Sequence, residues 1–236
     1  MKKTWYKELG FHNNPLSIKP AAFSNDVFGN DKVIGDVVRS VTNSQIIFVH
    51  GPYGTGKTTL LKSLINVFGG NKKVAYFHCK NAKDSLDLDS ILLGNRGFFA
   101  RLFGMKNKNM ILLLDEVEVL TSKDFDNILD YFYDGYFKSV VLMAHKDVRF
   151  PEEFEEELDN KFKLKGVDKA TAIEIVRKRV GDVDFITNEV IEEVHSYGNV
   201  PRVLLLNLED VARHAFNEGA EKTTKKHVKK VLGKKD

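Results

Sequence analysis

The chain has 236 residues, of which 42% are hydrophobic and 29% charged, and its formal net charge is +3. This composition is typical of a folded globular protein and excludes a largely disordered chain. No run of eighteen apolar residues occurs, and the N-terminal MKKTWYKELGFHNNP lacks the apolar core of a secretory signal. We therefore expect a cytoplasmic protein without membrane insertion. The single cysteine, Cys79, ends an apolar run and is expected to be a buried thiol.

Short apolar runs rich in β-branched residues predict strands in the first two thirds of the chain. Their continuous apolarity indicates that both faces are buried, as in a parallel sheet covered by helices. Stretches with helical spacing lie between them, at 58–68 and 125–132. The alternation predicts an α/β domain with three αβα layers and a five-stranded parallel sheet. The strands are expected at 45–50, 74–79, 110–114 and 139–144, with a weaker fifth strand at 161–164.

A glycine-rich segment joins the first strand to the helix that follows. It reads GPYGTGKTT and contains the pattern G-x-x-x-x-G-K-[ST] from Gly51 to Thr58. Such glycines let successive amides point inward and receive phosphate oxygens at a helix N-terminus. Lys57 is expected to contact the β- and γ-phosphates of ATP, and the Thr58 hydroxyl to bind Mg²⁺; the alternative is a plain glycine-rich turn. The residues expected to contact ATP are Pro52, Tyr53, Gly54, Thr55, Gly56, Lys57, Thr58 and Thr59.

Two adjacent acids, Asp115 and Glu116, follow the apolar run in NMILLLDEVEVL, the first of them 58 residues beyond Lys57. The C-terminal ends of parallel strands form the ligand-binding edge of open α/β sheets. We expect Asp115 to hold the water shell of Mg²⁺ and Glu116 to orient the water that attacks the γ-phosphate. An acidic turn after a core strand is the alternative. With Lys57, the two acids form a minimal catalytic set for ATP hydrolysis.

Helical periodicity without strands begins after Gly166. Helices are predicted at 170–180, 188–196, 201–217 and 224–231, with Asp168 and Thr187 as N-caps. Gly181, Gly198 and Gly219 separate these helices. We therefore expect an ATPase domain at 1–165, including an N-terminal segment, and an all-helical domain at 166–236.

Charge and aromatic residues are distributed unevenly. Seven lysines and two acids lie between Glu221 and Asp236, whereas 151–159 holds five glutamates and one aspartate. The lysine-rich C-terminal segment could bind DNA phosphates, although a solvated helix face has the same composition. A group of aromatic residues could dock a protein partner or pack beneath the sheet. It comprises Tyr131, Phe132, Tyr133, Tyr136 and Phe137.

These motifs together resemble those of AAA+ ATPases. Within them the chain resembles the branch of ExeA-type secretion ATPases, transposition regulators such as TnsC, and archaeal relatives of origin-recognition initiators. ELGFHNNPLSIKP is similar to the N-terminal segment of that branch, and VFGNDKVIGDVV to the box that borders the adenine. The resemblance covers nearly the whole chain and implies a P-loop ATPase domain followed by a small helical lid. It also implies that Phe28 and Gly29 approach the adenine.

The same resemblance assigns two residues that sense the γ-phosphate. VVLMAHKDVR is similar to the sensor 1 strand and its turn, which places His145 at the polar position. YGNVPRVLLLNLEDVARHAF is similar to the sensor 2 helix, with Arg202 as its arginine. The alternatives are that His145 has a structural role in its turn and that Arg202 forms an exposed salt bridge.

In this family an arginine that acts in trans often lies just before the fifth strand. Here LDNKFKL has Lys161 at that place. A lysine offers a point charge without the planar fork of a guanidinium. Either Lys161 substitutes for the arginine, Arg149 serves instead, or no neighbouring site is completed, so a homo-oligomer is one of several possibilities.

We expect a protein that binds and hydrolyses Mg-ATP to switch the lid position and thereby regulate a macromolecular assembly. The leading hypothesis is a DNA-associated protein of the initiator or transposition-regulator type. One alternative is a secretion-type module that regulates a protein partner without binding DNA. Another is a nucleotide-binding scaffold with very low turnover.

Overall fold

The computed structural model describes residues 4–18, 30–69, 73–82, 85–94 and 107–233. These residues fall into two compact units. The first contains the described residues up to Asn30, Gly54–Gly56 and those from Lys165 onward; the second contains Asp31–Tyr53 and Lys57–Leu164. The helices are α1 (Trp5–Glu8), α2 (Asp31–Thr42), α3 (Lys57–Phe68), α4 (Leu88–Gly94), α5 (Ser122–Tyr133), α6 (Glu152–Glu156), α7 (Lys169–Val180), α8 (Asn188–Ser196), α9 (Pro201–Asn217) and α10 (Lys225–Leu232).

The second unit contains a five-stranded sheet in which all neighbouring strands are parallel. Asp115 lies opposite His78 on one side and Met143 on the other. The ends of three adjacent strands therefore meet at one edge of the sheet. The predicted α/β fold and its five strands are confirmed. In the order β2-β3-β4-β1-β5, the strands are β1 (Ile46–His50), β2 (Val74–His78), β3 (Met110–Asp115), β4 (Phe137–Ala144) and β5 (Asn160–Lys163).

Alternate residues of each strand pack on opposite faces of the sheet, as the pleat of a strand requires. On one face, Phe48 and Leu112 share a buried cluster with Phe125 of α5. On the other face, Ile47 and Leu113 share a second cluster with α2 and α3. Because both faces are buried, the strands read as continuous apolar runs rather than as alternating ones.

Helix α5 begins three residues before the predicted 125–132 segment because of a capping box. Thr121 accepts a hydrogen bond from the Asp124 amide, and the Asp124 carboxylate accepts one from the Thr121 amide at 2.8 Å. The same carboxylate accepts from the Leu86 amide at 2.8 Å. Asp124 therefore both starts α5 and holds the segment that precedes α4.

The first unit is built from α1 and α7 to α10 around its own apolar core. Trp5 and Leu16 are buried in that core with side chains of α7, α8 and α9. The Arg179 guanidinium donates to the Ser17 carbonyl at 2.9 Å, so residues 4–18 are held within this unit. The predicted N-caps are confirmed, since Asp168 and Thr187 accept from the amides of Thr171 and Val190. The domain boundary at 165 stays a prediction.

The aromatic group near the end of α5 contributes mainly to the sheet core. Phe137 is fully buried, and Tyr131, Phe132 and Tyr136 pack against the same cluster. Tyr133 is the exception, with 62% of its surface exposed. Packing beneath the sheet is thus confirmed for four of the five rings. None of the described helices combines the length and apolar character that a membrane span requires.

Candidate nucleotide site

The glycine-rich loop connects β1 to α3, and its glycines adopt the conformations that the motif requires. Gly54 and Gly56 have φ values of +84° and +105°, in the left-handed region that side chains disfavour. The Gly51 amide donates to the Ala144 carbonyl at 3.2 Å, which ties the start of the loop to β4. The loop therefore begins at the C-terminal edge of the sheet and ends at the N-terminus of a helix. Phe28 and Gly29, predicted to approach the adenine, lie outside the described residues.

Lys57 is a buried ammonium at the first position of α3, with only 6% of its surface exposed. Its Nζ atom donates to the carbonyls of Gly51 and Pro52 at 2.6 and 3.0 Å. Burial lowers the pKa of Lys57, and the nearby carboxylates of Asp115, Glu118 and Glu116 act in the opposite direction. The loop carbonyls thus hold the ammonium, and the carboxylates after β3 are close enough to affect its pKa. Of the two threonines that follow, Thr58 is exposed and Thr59 is half-buried.

Asp115 ends β3, and Glu116 turns the chain away from the sheet. Glu116 has φ 59° and ψ 49°, a left-handed conformation that is uncommon outside glycine. Its amide donates to the Asp115 carboxylate at 3.0 Å. Burial raises the pKa of Asp115, while the charge of His78 and this amide bond oppose the shift. The charge of the half-buried Asp115 carboxylate is therefore only partly compensated by its neighbours.

The Glu116 carboxylate is buried among three basic side chains. It pairs with the Lys80 ammonium, accepts from His145 Nε2 at 2.7 Å and lies 3.7 Å from His78 Nε2. Burial alone would raise the pKa of Glu116, but the hydrogen bonds from Lys80 and His145 lower it to about 2. Because an ionised carboxylate can only accept, Nε2 of His145 carries the hydrogen in this contact.

His78 and Lys80 are site residues that sequence reasoning missed. They lie at and just beyond the end of β2, which pairs with β3 so that His78 is opposite Asp115. Strand order cannot be read from the apolar runs, so nothing placed β2 beside β3. The available signal was their position at the C-terminal end of a predicted strand, the edge where ligands bind.

The rings of Tyr53 and His145 stack, with their centroids 3.4 Å apart and their planes at 21°. Lys57 Nζ lies 5.7 Å from the centroid of the Tyr53 ring. Tyr53 is nevertheless 63% exposed. The second unit thus brings Lys57, Asp115, Glu116 and His145 to one region and adds Tyr53 to it as a neighbour of His145.

The other predicted site residues lie on the surface of their own units. Arg202 is exposed at the second position of α9. Lys161 of β5 is exposed and pairs with Glu155 of α6. Arg149 is exposed between β4 and α6. That Arg202 senses the γ-phosphate stays a prediction. The same holds for the action of Lys161 or Arg149 on a neighbouring active site.

Solved structures with the same fold include DNA-associated proteins. Drosophila ORC bound to DNA superposes with a TM-score of 0.69 at 15% identity, covering 92% of this chain and 63% of that chain. The Aeropyrum pernix ORC2 protein in ADPNP-ADP complexes gives 0.68 at 16% identity, covering 93% and 71%. The Thermotoga maritima RuvB Holliday junction branch migration motor gives 0.67 at 16% identity, covering 93% and 73%. At these identities the likeness shows the fold alone.

Two sequence comparisons each match about half of the chain. Pachytene checkpoint protein 2 of Saccharomyces cerevisiae is 29% identical over 118 residues, which is 48% of this chain but only 20% of that protein. The family model described as AAA domain matches residues 43–164, just over half of the chain, including the glycine-rich loop and both acids. The chain belongs to the AAA domain family.

Proposed function

We propose that the chain is an ATPase that binds Mg-ATP on the loop at 51–58 and hydrolyses it with Lys57, Asp115 and Glu116. The observation that carries this proposal is the buried Lys57 ammonium, held by loop carbonyls and acted on by both acids. A buried cation without a carboxylate in direct contact is poorly compensated until an anion binds. Membership of the AAA domain family supports the same reaction.

Binding would exchange the contacts of Lys57. Its Nζ atom donates to the Gly51 and Pro52 carbonyls. The β- and γ-phosphates are stronger acceptors because they are charged, and the burial of Lys57 reduces solvent screening of the interaction. The inward amides of the loop would hold the remaining phosphate oxygens. In this proposal the main chain of Pro52, Tyr53, Gly54, Thr55, Gly56 and Thr59 lines the phosphate chain.

The residues present fit a magnesium ion. The Thr58 hydroxyl and the Asp115 carboxylate are hard oxygen donors of the kind that Mg²⁺ prefers. Burial raises the pKa of Asp115, and a divalent cation beside it would offset that cost. When bound, the ion would neutralise the negative charge of the transferred phosphoryl group.

Glu116 would direct the attacking water. Its low pKa keeps it ionised, so it can accept a hydrogen bond from water at any physiological pH. Lys80 contacts one of its oxygens and His145 the other. Because an ionised carboxylate has about four acceptor sites, the attacking water would either share these oxygens or displace one contact. His145 would sense the γ-phosphate from this position, and Arg202 would couple the nucleotide to the helical lid.

The proposed output is a switch in lid position that regulates a DNA-associated assembly. Helix α10 buries Val228 and Leu232 and exposes Lys225, Lys226 and Lys229. A row of exposed lysines can neutralise phosphates and release counterions. The similar folds of Drosophila ORC bound to DNA and of the RuvB branch migration motor favour the same class of partner. A cytoplasmic location and a homo-oligomer completed by Lys161 or Arg149 belong to this proposal as well.

The test combines turnover and DNA binding. Wild type and Glu116→Gln are assayed for ATP hydrolysis with and without duplex DNA, and DNA affinity is measured as a function of salt. We expect hydrolysis that is lost in Glu116→Gln, and DNA affinity that falls steeply as salt rises. A triple variant, Lys225→Ala with Lys226→Ala and Lys229→Ala, should bind DNA more weakly.

A charge-matched control carries Lys32→Ala, Lys123→Ala and Lys169→Ala, which remove exposed lysines elsewhere. Equal losses in both triple variants would show that only net charge matters. If DNA does not change the ATPase rate and ATP does not increase the affinity for DNA, the hypothesis of a DNA-associated protein fails. A protein partner regulated without DNA then becomes the leading candidate.

A further inference from the structure

We propose that Tyr53 is a positioning residue that transmits the state of the phosphate loop to Glu116 through His145. The proposal rests on the ATPase function proposed above and names a further residue of that site. Its basis is a continuous chain of contacts from the loop to the carboxylate. Tyr53 stacks on His145, and His145 Nε2 donates to Glu116.

The first link is the stack itself. Tyr53 belongs to the loop, at the position before the first left-handed glycine, Gly54. Its ring is 63% exposed, so burial alone does not hold it in place. The face-to-face contact with His145, 3.4 Å between centroids, is the interaction that orients the ring.

The second link is the limited support of the His145 ring. Its Nε2 atom contacts Glu116, whereas Nδ1 is buried and has no hydrogen-bond partner among the described residues. The His145 amide is a weak anchor, since it reaches Glu118 only at 3.4 Å. The orientation of the imidazole therefore depends on the Tyr53 stack and on Glu116 together. Displacing Tyr53 removes one of these two contacts.

The third link connects Tyr53 to the phosphates. Lys57 donates to the carbonyls of Gly51 and Pro52, the two residues that precede Tyr53, and its Nζ lies 5.7 Å from the Tyr53 ring. When the Lys57 ammonium binds phosphate instead, its hydrogen bonds to the two carbonyls and its cation–π contact with Tyr53 are lost. The loop segment that carries Tyr53 is then free to move. Its movement changes the support of His145 and so the position of Glu116.

This arrangement predicts which kinetic constant Tyr53 controls. Glu116 acts on the attacking water and Tyr53 acts only through His145, so the effect belongs to the chemical step rather than to nucleotide binding. Tyr53→Ala should lower kcat about tenfold and change the Kd for ATP by less than about threefold. Tyr53→Phe retains the stacking ring and should keep nearly wild-type kcat.

The experiment measures kcat and the Kd for a fluorescent ATP analogue in full-length variants. The matched control is Tyr133→Ala, since Tyr133 is 62% exposed and lies at the end of α5. A double-mutant cycle of Tyr53→Ala with His145→Ala should be strongly non-additive, because both changes break the same chain. The proposal is overturned if kcat is unchanged in Tyr53→Ala, if Tyr53→Phe loses as much activity, or if the two effects add.

A spectroscopic measurement separates this proposal from the ATPase proposal. Because the Tyr53 ring stacks on His145, we expect it to shift the His145 Hε1 resonance upfield. Tyr53→Ala should remove that shift, and Tyr53→Phe should retain it. If the wild type hydrolyses no ATP, the ATPase proposal fails by itself. If the His145 resonance is the same in all three proteins, Tyr53 does not stack on His145. The proposed positioning role is then refuted, whatever the rate of ATP hydrolysis.

Discussion

Lys80 and Glu116 form an ion pair between the ends of two neighbouring strands. Lys80 follows β2, Glu116 follows β3, and the strands pair so that His78 lies opposite Asp115. The contact stabilises the carboxylate charge and competes for an oxygen that could accept from water. The acid that we propose to direct water is thus held in an ion pair.

Removing this pair should speed basal hydrolysis. In Lys80→Ala the Glu116 carboxylate loses one competitor for water, and we expect kcat to rise about two- to fivefold. Steady-state ATPase rates at saturating ATP provide the measurement. Lys73→Ala, at the opposite end of β2, is the control and should leave the rate unchanged. A lower rate in Lys80→Ala would mean that Lys80 assists catalysis instead of restraining it.

Glu116 should also make stability depend on acid pH. Its folded-state pKa of about 2 lies below the ordinary value of 4.5, so its stabilising contribution is complete above pH 4.5 and is lost towards pH 2. We expect this contribution to be about 1 to 2 kcal/mol, reduced because its partner Lys80 is half-exposed. Wild type and Glu116→Gln should therefore differ in free energy of unfolding at pH 6 and converge near pH 2. Parallel curves across that range would contradict the assignment.

Cys79 should resist modification in the folded protein. Burial raises the pKa of its thiol to about 12, with the carboxylates of Asp115 and Asp124 adding to the effect. Little thiolate is present at pH 8, and the sulfur is covered. We expect labelling by a thiol reagent to be slow in native protein and fast in denaturant. Rapid labelling of native protein would show that this region opens readily.

Trp5 should stabilise the helical unit even though it lies far from α7 to α10 in the sequence. Its ring is buried and stacks on Phe185, with centroids 6.4 Å apart and planes at 18°. Trp5→Ala should cost about 3 to 5 kcal/mol of unfolding free energy, as for other large buried aromatics. Chemical denaturation followed by circular dichroism measures this. Leu206→Ala on the exposed side of α9 is the control, and equal losses would argue against the core role of Trp5.

The strands and the glycine-rich loop could be predicted because their signals are local. β1 and α3 flank a motif whose residue spacing is specific to a phosphate-binding loop. Each strand is a continuous apolar run because both faces of the sheet are buried. The predicted ends of the strands differ from the structure by at most two residues. Even the weak fifth strand is present, shifted by one residue to Asn160–Lys163.

What could not be predicted depends on contacts between distant segments. The resemblance assigns the residues of α2 to a box that borders the adenine and does not predict the helix. The start of α5 depends on the reciprocal bonds of Thr121 and Asp124. The Lys80 pair with Glu116 requires the strand order, and the stack of Tyr53 on His145 requires the pairing of β1 with β4. These are tertiary relationships, and no local pattern contains them.

The most direct test of the central claim is nucleotide affinity in Lys57→Ala, with folding checked by circular dichroism. A charged donor to phosphate is lost, so we expect ATP to bind about 10- to 100-fold more weakly and hydrolysis to fall to background. Lys62→Ala, in the same helix, should bind and hydrolyse ATP as wild type does. Undiminished affinity and turnover in a folded Lys57→Ala protein would contradict the proposed site.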